Sequence, residues 1–138
     1  MNSELQDFKV NVKLKLSALW ASLVLCYLYG DYFGLYVPGS LQSMLDGKMG
    51  PLGATTQGVL IFTSAMMAIP SLMVALSLLL KPAMSRWMNI VFGLVYTAII
   101  LMTMPGAWHF YIFLGIIEAT LTLIIVWNAW HWPKANGT

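Results

Sequence analysis

The chain has 138 residues, of which 59% are hydrophobic and only 9% charged, and its mean hydropathy is +0.77. A soluble domain carries roughly 25% charged residues, and a core of this length could not bury so much apolar surface. The formal net charge of +2 comes from basic residues beside apolar segments, which excludes a nucleic-acid-binding surface. The single cysteine, Cys26, excludes an internal disulfide. The composition therefore predicts an integral membrane protein.

The apolar residues fall into four segments, each close to the length that crosses a bilayer core of roughly 30 Å. We predict one membrane domain, 1–138, that folds as an all-α, left-handed bundle of four transmembrane helices. An N-terminal segment, 1–13, precedes the bundle, and a loop at 38–53 contains a short helix. The predicted spans are about 14–36, 55–80, 87–104 and 108–132.

The positive charges are distributed unevenly between the two sides of the predicted bundle. Cytoplasmic loops of membrane proteins carry the excess of lysine and arginine, so we expect both the N and C termini to be cytoplasmic. The opposite side carries only Lys48, which Asp46 offsets. The remaining basic residues lie on the predicted cytoplasmic side: Lys9, Lys13, Lys15, Lys81, Arg86 and Lys134.

The fourth span has a lone carboxylic acid, Glu118, at its centre. An ionised side chain at that depth costs about 3 kcal/mol or more, so an intramembrane acid is a candidate functional group. Because no lysine or arginine lies within the span to pair with it, we expect the carboxyl to be largely protonated at neutral pH. Such a group can exchange its proton for a cation.

A stripe of unusual residues repeats every seven positions in all four spans. A seven-residue repeat keeps one helix face inward in a left-handed bundle, so this stripe predicts the interior. The opposite face of the fourth span carries Phe113, Ile116, Leu123 and Trp127, which we expect to contact lipid. The stripe consists of Trp20, Tyr27, Gly34, Thr56, Thr63, Pro70, Ser77, Asn89, Tyr96, Thr103, Tyr111, Glu118 and Ile125, with Gly115 and Thr122 beside them.

Depth along the helices groups Tyr27 and Tyr96 with Glu118 near the membrane midplane. We predict that both phenols hydrogen-bond the Glu118 carboxyl, because hydrocarbon offers no other partner. Asp31 lies either inside the first helix or, if that helix ends at Tyr29, at the membrane surface. The predicted transport or ligand site comprises Glu118, Tyr27, Tyr96, Asp31, Thr63 and Thr122.

Backbone features of the spans predict a kink and close helix packing. Pro70 removes a hydrogen-bond donor from the second span, so a kink is expected near Met66. Small residues allow two helices to approach closely, and we expect them to support association into a homo-oligomer, favouring a dimer. These packing residues are Gly30, Gly34, Gly115 and Ala119.

Motifs for catalysis and cofactor binding do not occur in the sequence. There is no glycine-rich phosphate loop, no paired-histidine metal motif and no nucleophile elbow, which favours a protein that is not an enzyme. His109 and His131 lie at opposite ends of the last span, about 33 Å apart along a helix, so they cannot share a metal ion within one subunit. We predict no catalytic residue, no metal and no cofactor.

Three stretches carry a resemblance to a known family: YGDYFGLYVPG, MGPLGATTQGVL and TMPGAWHFYIFLGIIEATLTLIIVW. From about Phe8 to Pro133 the chain resembles a family of small four-span bacterial membrane proteins described only as a domain of unknown function. The resemblance implies a multi-pass protein of the bacterial inner membrane. It implies no activity, cofactor or site residue.

The sequence leaves three functional hypotheses open. The first is a small oligomeric transport or channel-type protein that moves protons or small cations through Glu118, which requires the fewest additional residues. The second is a membrane enzyme or binding protein for a lipophilic small molecule, with Glu118 and Asp31 as its acid and base. The third is a structural or accessory subunit in which Glu118 only joins helices.

Overall fold

The computed structural model describes residues 4–135, which contain five α-helices. Four of them have 22 or 23 residues, about 33–35 Å of helix, and are long and apolar enough to cross a membrane. The protein is therefore a multi-pass membrane protein, and the predicted all-α fold with four spans is confirmed. The helices are α1 (Val12–Gly34), α2 (Ser40–Leu45), α3 (Gln57–Leu79), α4 (Pro82–Thr103) and α5 (His109–Trp130).

The four long helices form two antiparallel pairs. Helix α1 packs along α3, and α4 packs along α5. The pairs are joined mainly through α1 and α5, whereas α3 and α4 touch little although only residues 80–81 separate them. We call the end with residues 35–56 and 104–108 the loop end, and the end with residues 4–11, 80–81 and 131–135 the terminal end.

The largest difference from the predicted spans is the start of α4, at Pro82 instead of about 87. Proline suits the first turn of a helix because the N–H that it lacks has no intrahelical partner there. Arg86 thus lies inside α4, and its guanidinium donates to the carbonyl oxygens of Ala129 and Trp130 at 3.2 and 3.3 Å. The charge caps the end of α5, where a cation is favourable. All other helix ends lie within two residues of the predicted bounds.

Lys13 caps helix α3 in the same manner. Its ammonium group donates to the carbonyl oxygens of Leu78 and Leu80, at 3.2 and 2.6 Å. These carbonyls end a helix and have no intrahelical donor, so a lysine from the neighbouring helix supplies one. Lys13 and Arg86 therefore cap helix ends, a role that the distribution of positive charge along the sequence does not show.

The predicted stripe forms the interior over most of its length. Its members Trp20, Pro70 and Asn89 are fully buried, and Tyr96 is 2% exposed. At the loop end the interior opens, because the outermost stripe residues, Thr56, Thr103 and Tyr111, are exposed; the prediction is wrong for these positions. The predicted lipid face of α5 is confirmed, since each of its residues is more than half exposed: Phe113, Ile116, Leu123 and Trp127.

A hydrogen-bonded network closes the terminal half of the interior. The indole N–H of Trp20 donates to Asn89 Oδ1 at 2.6 Å, and the Ser77 hydroxyl donates to the same oxygen at 3.2 Å. The Asn89 amide donates to the Ser85 carbonyl oxygen at 2.8 Å. An indole can only donate and a carbonyl can only accept, so these partners determine the orientation of the amide. A buried network with all its polar groups paired stabilises one packing arrangement.

Candidate functional site

Glu118 projects into the interior between α1 and α4. One turn before it, Leu114 lies against Gly30 of α1, and one turn after it, the Thr122 hydroxyl lies 2.7 Å from that of Thr97 on α4. The Glu118 side chain is 8% exposed. Its carboxyl makes no hydrogen bond to any residue in 4–135, and the cations Lys13 and Arg86 are at the terminal end. The residue is therefore largely buried, and its carboxyl has no hydrogen-bond partner in the described part of the chain.

Tyr96 does not bond to Glu118. Its hydroxyl donates instead to the carbonyl oxygen of Met66 on α3, at 2.5 Å. In a regular helix that carbonyl would accept from the N–H four residues later, but residue 70 is proline and has none. A free carbonyl in the interior needs a donor, and Tyr96 supplies it across the α3–α4 interface.

Tyr27 does not bond to Glu118 either. Its hydroxyl oxygen is buried and has no hydrogen-bond partner in the described part of the chain. The ring packs near that of Tyr96, with 6.5 Å between the ring centroids. Because α1 and α5 are antiparallel and Gly30 lies against Leu114, Tyr27 lies at about the level of Glu118. The prediction that both phenols bond the carboxyl is wrong: the Tyr96 phenol has a backbone partner, and the Tyr27 phenol has none in the described residues.

Asp31 lies inside α1, three residues before the helix ends at Gly34. The alternative that placed it beyond the end of the helix is therefore wrong. Its side chain is exposed, and it lies next to Gly30, about one helical turn nearer the loop end than Glu118. The structure thus brings two carboxyls and the Tyr27 phenol into one region.

The two threonines of the predicted site lie on either side of this region. Thr63 donates to the Val59 carbonyl oxygen of its own helix at 2.6 Å, and its hydroxyl lies 3.9 Å from the sulfur of Met49 in the loop. Thr122 is fully buried one turn beyond Glu118, towards the terminal end, where it pairs with Thr97. Neither threonine bonds to Glu118. Thr97 is a further buried hydroxyl, which the seven-residue stripe does not contain.

An open cavity of about 790 Å³ lies at the loop end of the bundle. It is lined by the helix ends at Gly34, Thr103 and Tyr111 and by Ser40 of α2. Tyr111 precedes Glu118 by seven residues on the same helix, so this part of the cavity wall lies about 10 Å along the helix axis from Glu118. The loop end is therefore the side from which a ligand could approach the acid.

Three of the four predicted packing residues are used within the chain. A Cβ on Gly115 would lie 3.1 Å from the Met104 side chain, and one on Gly30 would lie 3.5 Å from Leu114. Ala119 packs against the buried core. Gly34 has open space around it and borders the loop-end cavity. Association through the first three would require the bundle itself to open, so the expected dimer needs another surface.

Metal ligands do not gather in any part of residues 4–135. No group of three or more histidine, cysteine, aspartate or glutamate side chains there could hold a metal ion. The polar side chains near Glu118 are the carboxyl of Asp31 and the phenol of Tyr27, which supply oxygen atoms only. They offer no imidazole or thiolate set for a transition metal.

Sequence comparison identifies the family of the chain. A sequence profile of DUF6326, a family of unknown function, matches residues 4–138. The chain belongs to the DUF6326 family. This confirms the resemblance to an uncharacterised family of four-span membrane proteins. No curated protein and no solved structure matches this DUF6326 protein, so its function has to be argued from the site.

The two tyrosines of this DUF6326 protein form a matched pair for mutation. Tyr96→Phe should lower the free energy of unfolding by about 1 kcal/mol, because it leaves the Met66 carbonyl without a donor. Tyr27→Phe should not lower the free energy of unfolding, because the Tyr27 hydroxyl makes no hydrogen bond in the described residues. Thermal unfolding in detergent, followed by circular dichroism, measures both variants. If both variants lowered the free energy of unfolding equally, the hydrogen bond from Tyr96 to α3 would not stabilise the bundle.

Proposed function

We propose that this protein exchanges protons for small monovalent cations across the membrane, and that Glu118 is the group that binds both. A single observation carries the proposal: the buried residue Glu118 makes no side-chain hydrogen bond within residues 4–135, and at about its level the enclosed Tyr27 hydroxyl has no partner there either. A buried polar group without a partner is costly, and in a membrane such a group commonly marks an ion or substrate pathway.

The terminal half of the same bundle supports a role beyond structure. There the polar groups of Trp20, Ser77 and Asn89 are paired with one another at ordinary hydrogen-bond distances. These polar residues, which join helices, have hydrogen-bond partners. Glu118 has none in residues 4–135, so a proton or a cation is the partner that we assign to it.

The interior favours a carrier over an open channel. A ligand would approach Glu118 from the loop-end cavity, and the exposed carboxyl of Asp31 towards the same end would attract cations. Beyond Glu118, the fully buried Trp20 and Asn89 leave no continuous path to the terminal end. Passage would require the helices to move, and the proline of α3 gives that helix a flexible point whose free carbonyl is held by Tyr96.

Location and assembly are part of the proposal. The basic residues at the terminal end support a bacterial inner membrane protein with its N and C termini in the cytoplasm. A homodimer stays a prediction, with its surface on the exposed helix faces because most of the small packing residues are used within the bundle. Mass photometry of the protein in lipid nanodiscs would measure the number of subunits.

Proton release on cation binding tests the proposal directly. Purified protein in weakly buffered detergent should release about one proton per bound cation, because Glu118 cannot hold both. In proteoliposomes, an imposed sodium or potassium gradient should move protons in the opposite direction. Where the carboxyl is protonated, each drop of one pH unit should weaken cation binding about tenfold. The absence of proton release with every monovalent cation across about pH 5 to 8 would refute the exchange.

A second function is favoured by an apolar groove beside the loop-end cavity. The groove has a volume of about 470 Å³ and is lined by aromatic and aliphatic side chains, including Phe33, Trp108, Phe110 and Phe113. A lipophilic molecule could lie there with a polar group directed towards the carboxyls. Mass spectrometry of the protein after gentle extraction would detect such a molecule. Its displacement by an aromatic competitor would favour this function over ion exchange.

A further inference from the structure

We infer that a groove between α1 and α5 at the terminal end binds an anionic phospholipid, with the phosphate between Lys9 and Lys15. This site is independent of Glu118, which lies deeper in the bundle. Three features support the inference: two adjoining cavities, two lysines without hydrogen-bond or ion-pair partners in residues 4–135, and a position near the expected membrane surface.

Two adjoining cavities form the groove, which we call the terminal groove. The first, about 140 Å³, is lined by Lys9, Lys15, Asn128 and His131, among others. The second, about 410 Å³, is also lined by Lys15 and Asn128, so the two are continuous at these residues. No aspartate or glutamate lines either cavity. The groove therefore presents positive charge and hydrogen-bond donors without an acid to neutralise them.

The lysines of the groove differ from the other basic residues near them. Lys13 and Arg86 donate to helix carbonyls, whereas Lys9 and Lys15 have no hydrogen-bond or ion-pair partner among residues 4–135. Asn128 donates one amide hydrogen to the Ile124 carbonyl oxygen at 2.8 Å, which leaves the second hydrogen for a ligand. Two ammonium groups and an amide suit the oxygens of a phosphate.

The shape of the groove favours a lipid over a soluble phosphate. From Lys15 the second cavity continues to Ser22, about 10 Å further along α1 towards the membrane interior. The small side chains of Ala18 and Ser22 leave room there, and Ile124 provides an apolar wall. An acyl chain fits this path. A free phosphate ion would occupy only the charged part.

The level of the groove also agrees with a lipid headgroup. Trp127 and Trp130 are both more than half exposed at the same end of α5. Exposed tryptophans of spanning helices lie at the membrane surface, where phospholipid phosphates are found. Basic pockets between helices at that surface are typical sites for anionic headgroups.

Native mass spectrometry of the full chain in detergent micelles tests the site. We would titrate phosphatidylglycerol, phosphatidylcholine with the same acyl chains, and inorganic phosphate. Phosphatidylglycerol should bind much more tightly than the other two. A single lysine near the surface should contribute roughly fivefold to affinity, so Lys9→Gln with Lys15→Gln should weaken binding about thirtyfold. The control Lys134→Gln removes a charge at the same end but outside the groove, and should change affinity little.

A second variant separates the lipid from a free anion. Ser22→Leu fills the apolar part of the groove and keeps both lysines, so it should weaken phosphatidylglycerol binding and leave any phosphate binding unchanged. The substitution is on the exposed face of α1 and should preserve the fold, which thermal unfolding would verify. Equal binding of the two lipids, equal effects of the lysine pair and Lys134→Gln, or no effect of Ser22→Leu would each overturn the inference.

Discussion

Replacing Glu118 with glutamine should abolish cation-driven proton movement and leave the bundle folded. Glutamine has nearly the same shape but cannot release a proton or neutralise a cation, so both halves of the exchange are lost. The carboxyl makes no hydrogen bond within residues 4–135, so the substitution removes none there, and the similar shape of glutamine preserves the packing. Proton flux in proteoliposomes should fall to that of empty vesicles, and the unfolding temperature should change little.

Two variants serve as controls for this experiment. Glu118→Asp keeps an ionisable group and should retain exchange at a reduced rate, since the carboxyl is withdrawn by about one bond length, roughly 1.5 Å. Asp31→Asn should reduce the affinity for the cation without stopping exchange, because it removes an exposed negative charge near the loop end but leaves Glu118 in place. If Glu118→Gln exchanges protons at the rate of the native protein, Glu118 is a structural residue and the proposed mechanism fails.

Removing the Trp20 side chain should have the largest effect on stability. Trp20 is fully buried and donates to Asn89 in the centre of the terminal half. Trp20→Ala should therefore lower the free energy of unfolding by about 3–5 kcal/mol, through lost contacts and the cavity that remains. Trp20→Phe keeps most of the ring but loses the donor, and should cost about 1 kcal/mol. Unfolding by SDS in mixed micelles measures both values.

A tryptophan on the surface gives the matched control. Trp87 is 56% exposed, so Trp87→Ala should change stability far less than Trp20→Ala. A double-mutant cycle between Trp20→Phe and Asn89→Leu isolates the hydrogen bond, because the second substitution removes its acceptor. Strictly additive effects would show that the indole and the amide do not stabilise the bundle through that bond.

The fold and the interior could be predicted because each follows from a local pattern. Segment length and hydrophobicity determine which residues can cross a membrane, and the seven-residue repeat determines which face of a helix is inward. Trp20, Pro70 and Asn89 were therefore assigned to the interior correctly. The seven-residue repeat does not indicate that the interior opens at the loop end. Tyr111 and Thr103 consequently line an open cavity instead of a packed core.

The partners of the site residues could not be predicted from depth alone. Tyr96, Tyr27 and Glu118 lie at similar levels, but a hydrogen bond also depends on which helices are adjacent and on which other acceptors are free. The proline of α3 creates such an acceptor at Met66, and Tyr96 reaches it. A sequence signal for this existed, since Pro70 always frees the carbonyl four residues earlier. The sequence does not show which helix supplies the donor for this carbonyl.

The contact pattern of the helices has a consequence for biosynthesis. Each antiparallel pair consists of successive spans, so α1 with α3, and later α4 with α5, can associate soon after they leave the ribosome and enter the bilayer. The joint between the pairs depends on α1 and α5, the first and last spans to be made. The acid on α5 thus reaches the level of Tyr27 only when translation is nearly complete, and a nascent chain that stops before residue 109 would contain three spans but not Glu118.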